Sequence, residues 1–74
     1  MESKPVTLKN RIRVLRAELK LSQEELAKAV GVTRQTIIAI EGENYIPSAL
    51  LAMKIAKYFN KPFEDVYSLG VETM

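Results

Sequence analysis

Thr33, Arg34, Gln35 and Thr36 place four hydrogen-bonding side chains in a row. The arginine fork matches two neighbouring acceptors, as on guanine, and the glutamine amide matches the donor and acceptor of adenine. Each such bidentate pair discriminates against a wrong base by roughly 1–3 kcal/mol. Nothing comparable supports catalysis. The chain has no histidine and no cysteine, so imidazole bases, thiolate nucleophiles, disulfides and thiolate metal sites are excluded. It also lacks a glycine-rich phosphate loop and any carboxylate cluster with metal-ligand spacing. The adjacent acids Glu24–Glu25 and Glu64–Asp65 fall in the first turns of expected helices, where the helix dipole favours negative charge. No cofactor, metal or small-molecule ligand is expected, and no enzymatic activity.

The four polar residues need a rigid support, and the residues before them supply one. Ser22 and Glu25 have the spacing of a capping box, which predicts a helix starting at Gln23. Leu26, Ala27 and Val30 give this helix a narrow apolar stripe, and Gly31 ends it in a left-handed turn. Thr33 can then cap a second helix, about residues 34–42, whose inward residues are Ile37 and Ile40. Arg34, Gln35 and Thr36 face outward from its first turn. Gln23 would set the amino terminus of the preceding helix against a phosphate, with Thr33 and Thr36 making similar backbone contacts. Ile38 and Ala39 are aliphatic; Ile38 either packs on a thymine methyl or lies half-buried or exposed, and Ala39 offers a weaker contact.

Ala27, Gly31, Val32, Ile37 and Ile40 stand where the helix-turn-helix of the phage Cro and repressor (XRE) family places its packing residues. The chain resembles that family over most of its length. Small Ala27 allows close helix approach, Gly31 supplies the turn, and the three apolar residues fill the angle between the helices. The resemblance implies an all-α, five-helix bundle of the phage-repressor type. It further implies sequence-specific binding of double-stranded DNA by a transcription regulator, with helix 34–42 in the major groove. It makes Arg16 and Glu41 a structural ion pair. The loop after the recognition helix holds the phosphate backbone in relatives, which assigns that role here to Asn44, Tyr45 and Ser48. Gly42-Glu43-Asn44 departs from the usual glycine followed by a basic residue, and Glu43 would repel a nearby phosphate. The same fold also serves protein-interaction adapters, such as antitoxins or coactivator-like bridging modules, so that class stands as the alternative.

The chain of 74 residues makes one small domain with a marginal core, which dimerisation would assist. A 47% hydrophobic and 27% charged composition is ordinary for a globular protein. No apolar run approaches the roughly 20 residues of a membrane span, and no signal-peptide pattern opens the sequence; a cytoplasmic protein is expected. The net charge of +2 is a weak hint of polyanion binding. Its distribution is more informative, because Lys4, Lys9, Arg11, Arg13, Arg16 and Lys20 outweigh Glu2 and Glu18 in the first twenty residues.

Around the central unit the sequence predicts a flexible basic tail over residues 1–7, a helix-turn-helix domain over 8–67, and a carboxy-terminal tail or dimerisation strand over 68–74. The first helix should start at Leu8 or Lys9 and bury Leu8, Ile12, Leu15 and Leu19. Pro47 and Ser48 open a fourth helix that buries Leu51, Ile55, Ala56 and Phe59, with Leu50 and Met53 broadening the stripe and Asn60 ending it. Lys61-Pro62 precedes a short fifth helix from Phe63 to Val66 or Tyr67. Tyr67, Leu69 and Val71 then alternate with Ser68 and Gly70 in the period of a strand. Two such strands from two copies, with Val66 adjoining, could pair antiparallel in a homodimer that faces a near-palindromic operator. A frayed tail, or a dimer through the fourth and fifth helices, are the alternatives.

Overall fold

The computed structural model describes residues 6–71, with side chains from 7 to 70. In chain order the elements are β1 (Val6–Asn10), α1 (Ile12–Leu19), α2 (Gln23–Val30), α3 (Arg34–Glu41), α4 (Ala49–Tyr58), α5 (Phe63–Val66) and β2 (Tyr67–Val71). Ile12, Leu26, Ile37, Ile40, Ile55 and Val66 are its fully buried large side chains, so every helix contributes to one core.

Three helix starts and the turns after α1 to α4 have local chemical causes. Ser22, Thr33 and Ser48 cap α2, α3 and α4 by accepting hydrogen bonds from the main chain of Glu25, Thr36 and Leu51. Gly31 ends α2 at φ 81°. Lys20, Glu43 and Asn60 take the same left-handed conformation after α1, α3 and α4, at a modest steric cost that glycine would avoid. After α1, the N–H of Leu21 returns to the carbonyl of Arg16, so Leu21 folds onto the core. Leu19, expected inside, is therefore exposed at the helix end. Leu50 and Met53 do not broaden the buried stripe of α4. At 100° per residue they lie roughly 140–160° from Ile55, on the solvent side, and both are exposed. Phe63 is also partly exposed; it stacks on Tyr67, with ring centroids 4.8 Å apart.

The start of the chain departs most from expectation. Leu8 lies in β1, and α1 begins only at Ile12. Residues 6 and 7 thus belong to a strand and not to the expected tail; residues 1–5, with Lys4, lie outside the described residues. β1 runs antiparallel to β2, with Leu8 opposite Leu69 and Asn10 opposite Tyr67. The alternating carboxy-terminal segment is a strand, but its partner is β1 of the same chain. Leu8, Asn10, Tyr67 and Leu69 share one face of this ribbon. Tyr67 sits in the core at 3% exposure, whereas Leu69, two residues on, is 75% exposed. On the other face the Lys9 stem crosses Gly70, where an added Cβ would meet Lys9 carbons at 2.3–2.9 Å.

Val66 and Tyr67, two of the residues expected at a dimer interface, are buried within the chain, where β2 folds back on β1 and seals the core. The side chain of Val71 lies outside the described ones.

Candidate nucleic-acid interface

Glu41 organises the polar side of the helix-turn-helix. Its side chain is only 1% exposed, and Arg16, at 15%, reaches it from α1. Nε of Arg16 donates to Oε2 at 2.6 Å and Nη2 to Oε1 at 3.1 Å, a bidentate pair, while Nη1 donates to the carbonyl of Leu21 at 2.9 Å. Nε2 of Gln23 adds a third hydrogen bond at 3.1 Å, and exposed Arg13 approaches to 3.8 Å. Burial pushes the Glu41 carboxyl up; the hydrogen bonds from Arg16 and Gln23, with the charges of Arg16 and Arg13, outweigh it together and hold the group below the usual carboxylate range.

The network continues outward to the first turn of α3. Oε1 of Gln23 accepts from Nε of Arg34 at 3.4 Å, so the two ends of one amide link the buried carboxylate to an exposed guanidinium. The Gln23 side chain is thus engaged within the protein through both its amide nitrogen and its amide oxygen. Arg16, Ser22, Gln23, Glu24 and Arg34 line one hollow at this end. At the start of α2 the backbone and hydroxyl of Ser22 hydrogen-bond the Glu25 carboxylate and the main chain beside it, which lowers the Glu25 pKa.

Gln35, Thr36, Ala39, Asn44 and Tyr45 line a second hollow on the outer side of α3. The structure thus gathers one expected base-contacting pair and three expected backbone contacts on one surface. Thr33 and Thr36 share a hydrogen bond at 3.1 Å between their hydroxyls, which leaves one hydroxyl hydrogen for an outside acceptor. Ser48 is exposed but already spends a lone pair capping α4. Ile38 is partly exposed and does not line the second hollow.

The exit of α3 was less legible. Gly42 has an ordinary φ of −83°, and the left-handed residue is Glu43. The carboxylate of Glu43 turns to Lys9 on β1, 3.7 Å away, so the expected repulsion of a phosphate is offset by a neighbouring cation. Asn10 stands at the spacing from Ile12 of a side chain closing a turn on its own backbone. Its Oδ1 accepts from the N–H of Ile12 at 3.2 Å, and its Nδ2 donates to the carbonyl of Ile40 at 2.9 Å.

A family profile described as helix-turn-helix matches residues 12–66. An uncharacterised HTH-type transcriptional regulator of Bacillus subtilis, YgzD, is 52% identical over 65 residues, covering 88% of this chain and 98% of the relative. Another such regulator, from Methanocaldococcus jannaschii, is 53% identical over 60 residues, 81% of this chain and 91% of its own length. Among solved structures, a candidate DNA-binding protein of Bacteroides fragilis superposes with a TM-score of 0.74 at 26% identity, over 82% of this chain and 98% of that one. With α2 and α3 packed around Ala27, Gly31, Ile37 and Ile40, and relatives matched across almost their whole length, the chain belongs to the helix-turn-helix family of the Cro/C1 (XRE) type.

Proposed function

We propose that the chain is a transcription regulator that binds double-stranded DNA in a sequence-specific way, working in the cytoplasm, with α3 in the major groove. The observation that carries this reading is the two-sided build of α3. Its last turn is fixed by a buried carboxylate, while Arg34 and Gln35 stand exposed on its first turn. Arg34 and Gln35 read base edges, Ile38 and Ala39 offer apolar contacts to thymine, and Thr33, Thr36, Asn44, Tyr45, Ser48 and the amino terminus of α2 with Gln23 hold the backbone.

The finer reading is a homodimer on a near-palindrome, its recognition helices about 34–36 Å apart. Among the described residues no strand pairs with the outer edge of β2, and Leu69 is exposed beside it, so a second copy would meet the ribbon there.

Selection of bound fragments from random duplex DNA tests the function. The expected result is a defined site whose affinity falls with salt, and whose base preference is locally relaxed by roughly 1–3 kcal/mol in Arg34→Ala or Gln35→Ala. If neither variant changes affinity or preference, α3 is not the reader.

A further inference from the structure

Three parts of the molecule meet at Asn10: the end of β1, the start of α1 and the last turn of α3. Asn10 lies opposite Tyr67 in the ribbon, and the next residue, Arg11, donates its main-chain N–H to the carbonyl of Val66 at 2.9 Å. The junction is therefore anchored to β1, α1 and α5 before any contact with α3 is counted. From it the Asn10 amide donates to the Ile40 carbonyl at 2.9 Å, while its oxygen receives the N–H of Ile12. The Ile40 carbonyl also accepts from the N–H of Glu43 at 3.0 Å, inside the turn that ends α3. Among the described residues, Asn10 is the one side chain outside α3 and its cap to hydrogen-bond the main chain of that helix.

A small rotation of α3 about its last turn is magnified at its first. Eight residues at 1.5 Å rise put the first turn of α3 about 10 Å from its last, so a tilt of about 5° about the Ile40 end moves Arg34 by roughly 1 Å. Bidentate recognition tolerates misplacement of only about 0.5 Å. The ion pair of Arg16 and Glu41 constrains the neighbouring residue through a side chain with rotatable bonds, whereas Asn10 grips the backbone itself.

We propose that Asn10 is a positioning residue for DNA reading: its amide sets the tilt of α3 against the ribbon, so discrimination by Arg34 and Gln35 depends on a residue at the opposite end of the helix. The proposal rests on α3 being the DNA reader. Asn10→Ser separates its two bonds, because serine keeps an acceptor for the Ile12 N–H but is too short to reach Ile40.

The test compares full-length wild type with Asn10→Ser on two duplexes of equal length, one recovered by the wild-type chain from random DNA and one scrambled. The expected result is unchanged affinity for the scrambled duplex and an about tenfold smaller preference for the recovered one, the size of one weakened base contact. An unchanged preference overturns the proposal, and so does an equal loss on both duplexes. Wild-type NMR gives a reading that no unstable variant can blur. Nuclear Overhauser contacts between the Asn10 side-chain amide and the backbone of Ile40 and Glu41 are expected in the free and duplex-bound protein, and their absence from the bound form overturns the proposal. If the wild type prefers no duplex at all, the DNA-reading function fails first and this inference with it; if it prefers one and Asn10→Ser prefers it equally, the inference alone fails.

Discussion

The helix-turn-helix and the β1–β2 ribbon are specified at opposite ranges. The start and stop of α2 and the start of α3 are each encoded within four residues, by Ser22 with Glu25, by Gly31 and by Thr33 with Thr36. The ribbon is held by partners more than 50 positions apart, as in the bond of the Thr7 hydroxyl to the Gly70 carbonyl. Its outer apolar residue, Leu69, is exposed, whereas the helix pair buries Leu26, Ile37 and Ile40 completely or almost so. One region is built to be rigid in the isolated chain, and the other has surface left to share.

The sharpest way to break this comparison is at Glu41. Removing one partner of a buried ion pair costs on the order of 3–5 kcal/mol, so Arg16→Met and Glu41→Gln should each lower the melting temperature severely, and the double variant should recover part of the loss. Small, additive losses would mean that the network does not hold the helix pair. A pH series adds the sign. Because the folded Glu41 carboxyl lies below its unfolded value, its stabilisation is present above the ordinary carboxylate range and is lost as pH falls through the lower folded value. Glu41→Gln should therefore flatten the acid limb of the stability curve.

On the ribbon side the larger effect belongs to Leu69. Burying a leucine fully is worth about 1.5–3 kcal/mol, and a twofold interface counts it twice. Light scattering should find the wild type dimeric at high concentration and Leu69→Asp monomeric, with equal helical content. A monomeric wild type sinks the dimer, and a dimeric variant moves the interface away from the ribbon.

Tyr67 gives the smallest effect. Its hydroxyl is buried with no hydrogen-bond partner among the described residues, and burial pushes its pKa up to about 12. Tyr67→Phe should be neutral or stabilise by about 1 kcal/mol, since it removes an unsatisfied polar group and keeps the stack on Phe63. The raised folded pKa predicts stability that is full below the unfolded tyrosine value of 10 and lost as pH rises through about 12. Alkaline denaturation curves of the two proteins should separate there; a destabilised Tyr67→Phe would mean that the hydroxyl is satisfied in solution.

The range difference also explains what could be read beforehand. Caps, turns and the inward stripes of α2 to α4 follow from residue type and spacing, and they were legible. Leu8 was not, because its spacing to Ile12 suits a helix and only the distant Leu69 makes it a strand residue. Leu50 and Met53 misled because residue type says nothing about which side of α4 faces the core. The contacts of Asn10 with Ile40 and of Lys9 with Glu43 could not be read for the same reason as the ribbon, since each joins two elements distant in sequence.

The lysine stem over Gly70 bears on which surfaces can aggregate. A two-stranded sheet offers two faces and two edges to stray strands from other molecules. Here one face carries Thr7, Ser68 and the Lys9 hydrocarbon chain roofing Gly70, with its ammonium at the rim. A sheet stacking on that side would have to lift the lysine and desolvate its charge, so Lys9 acts as a gatekeeper. Orderly association is left with the leucine face and the outer edges of the ribbon, and the glycine is what lets the lysine lie flat enough to close the opposite face.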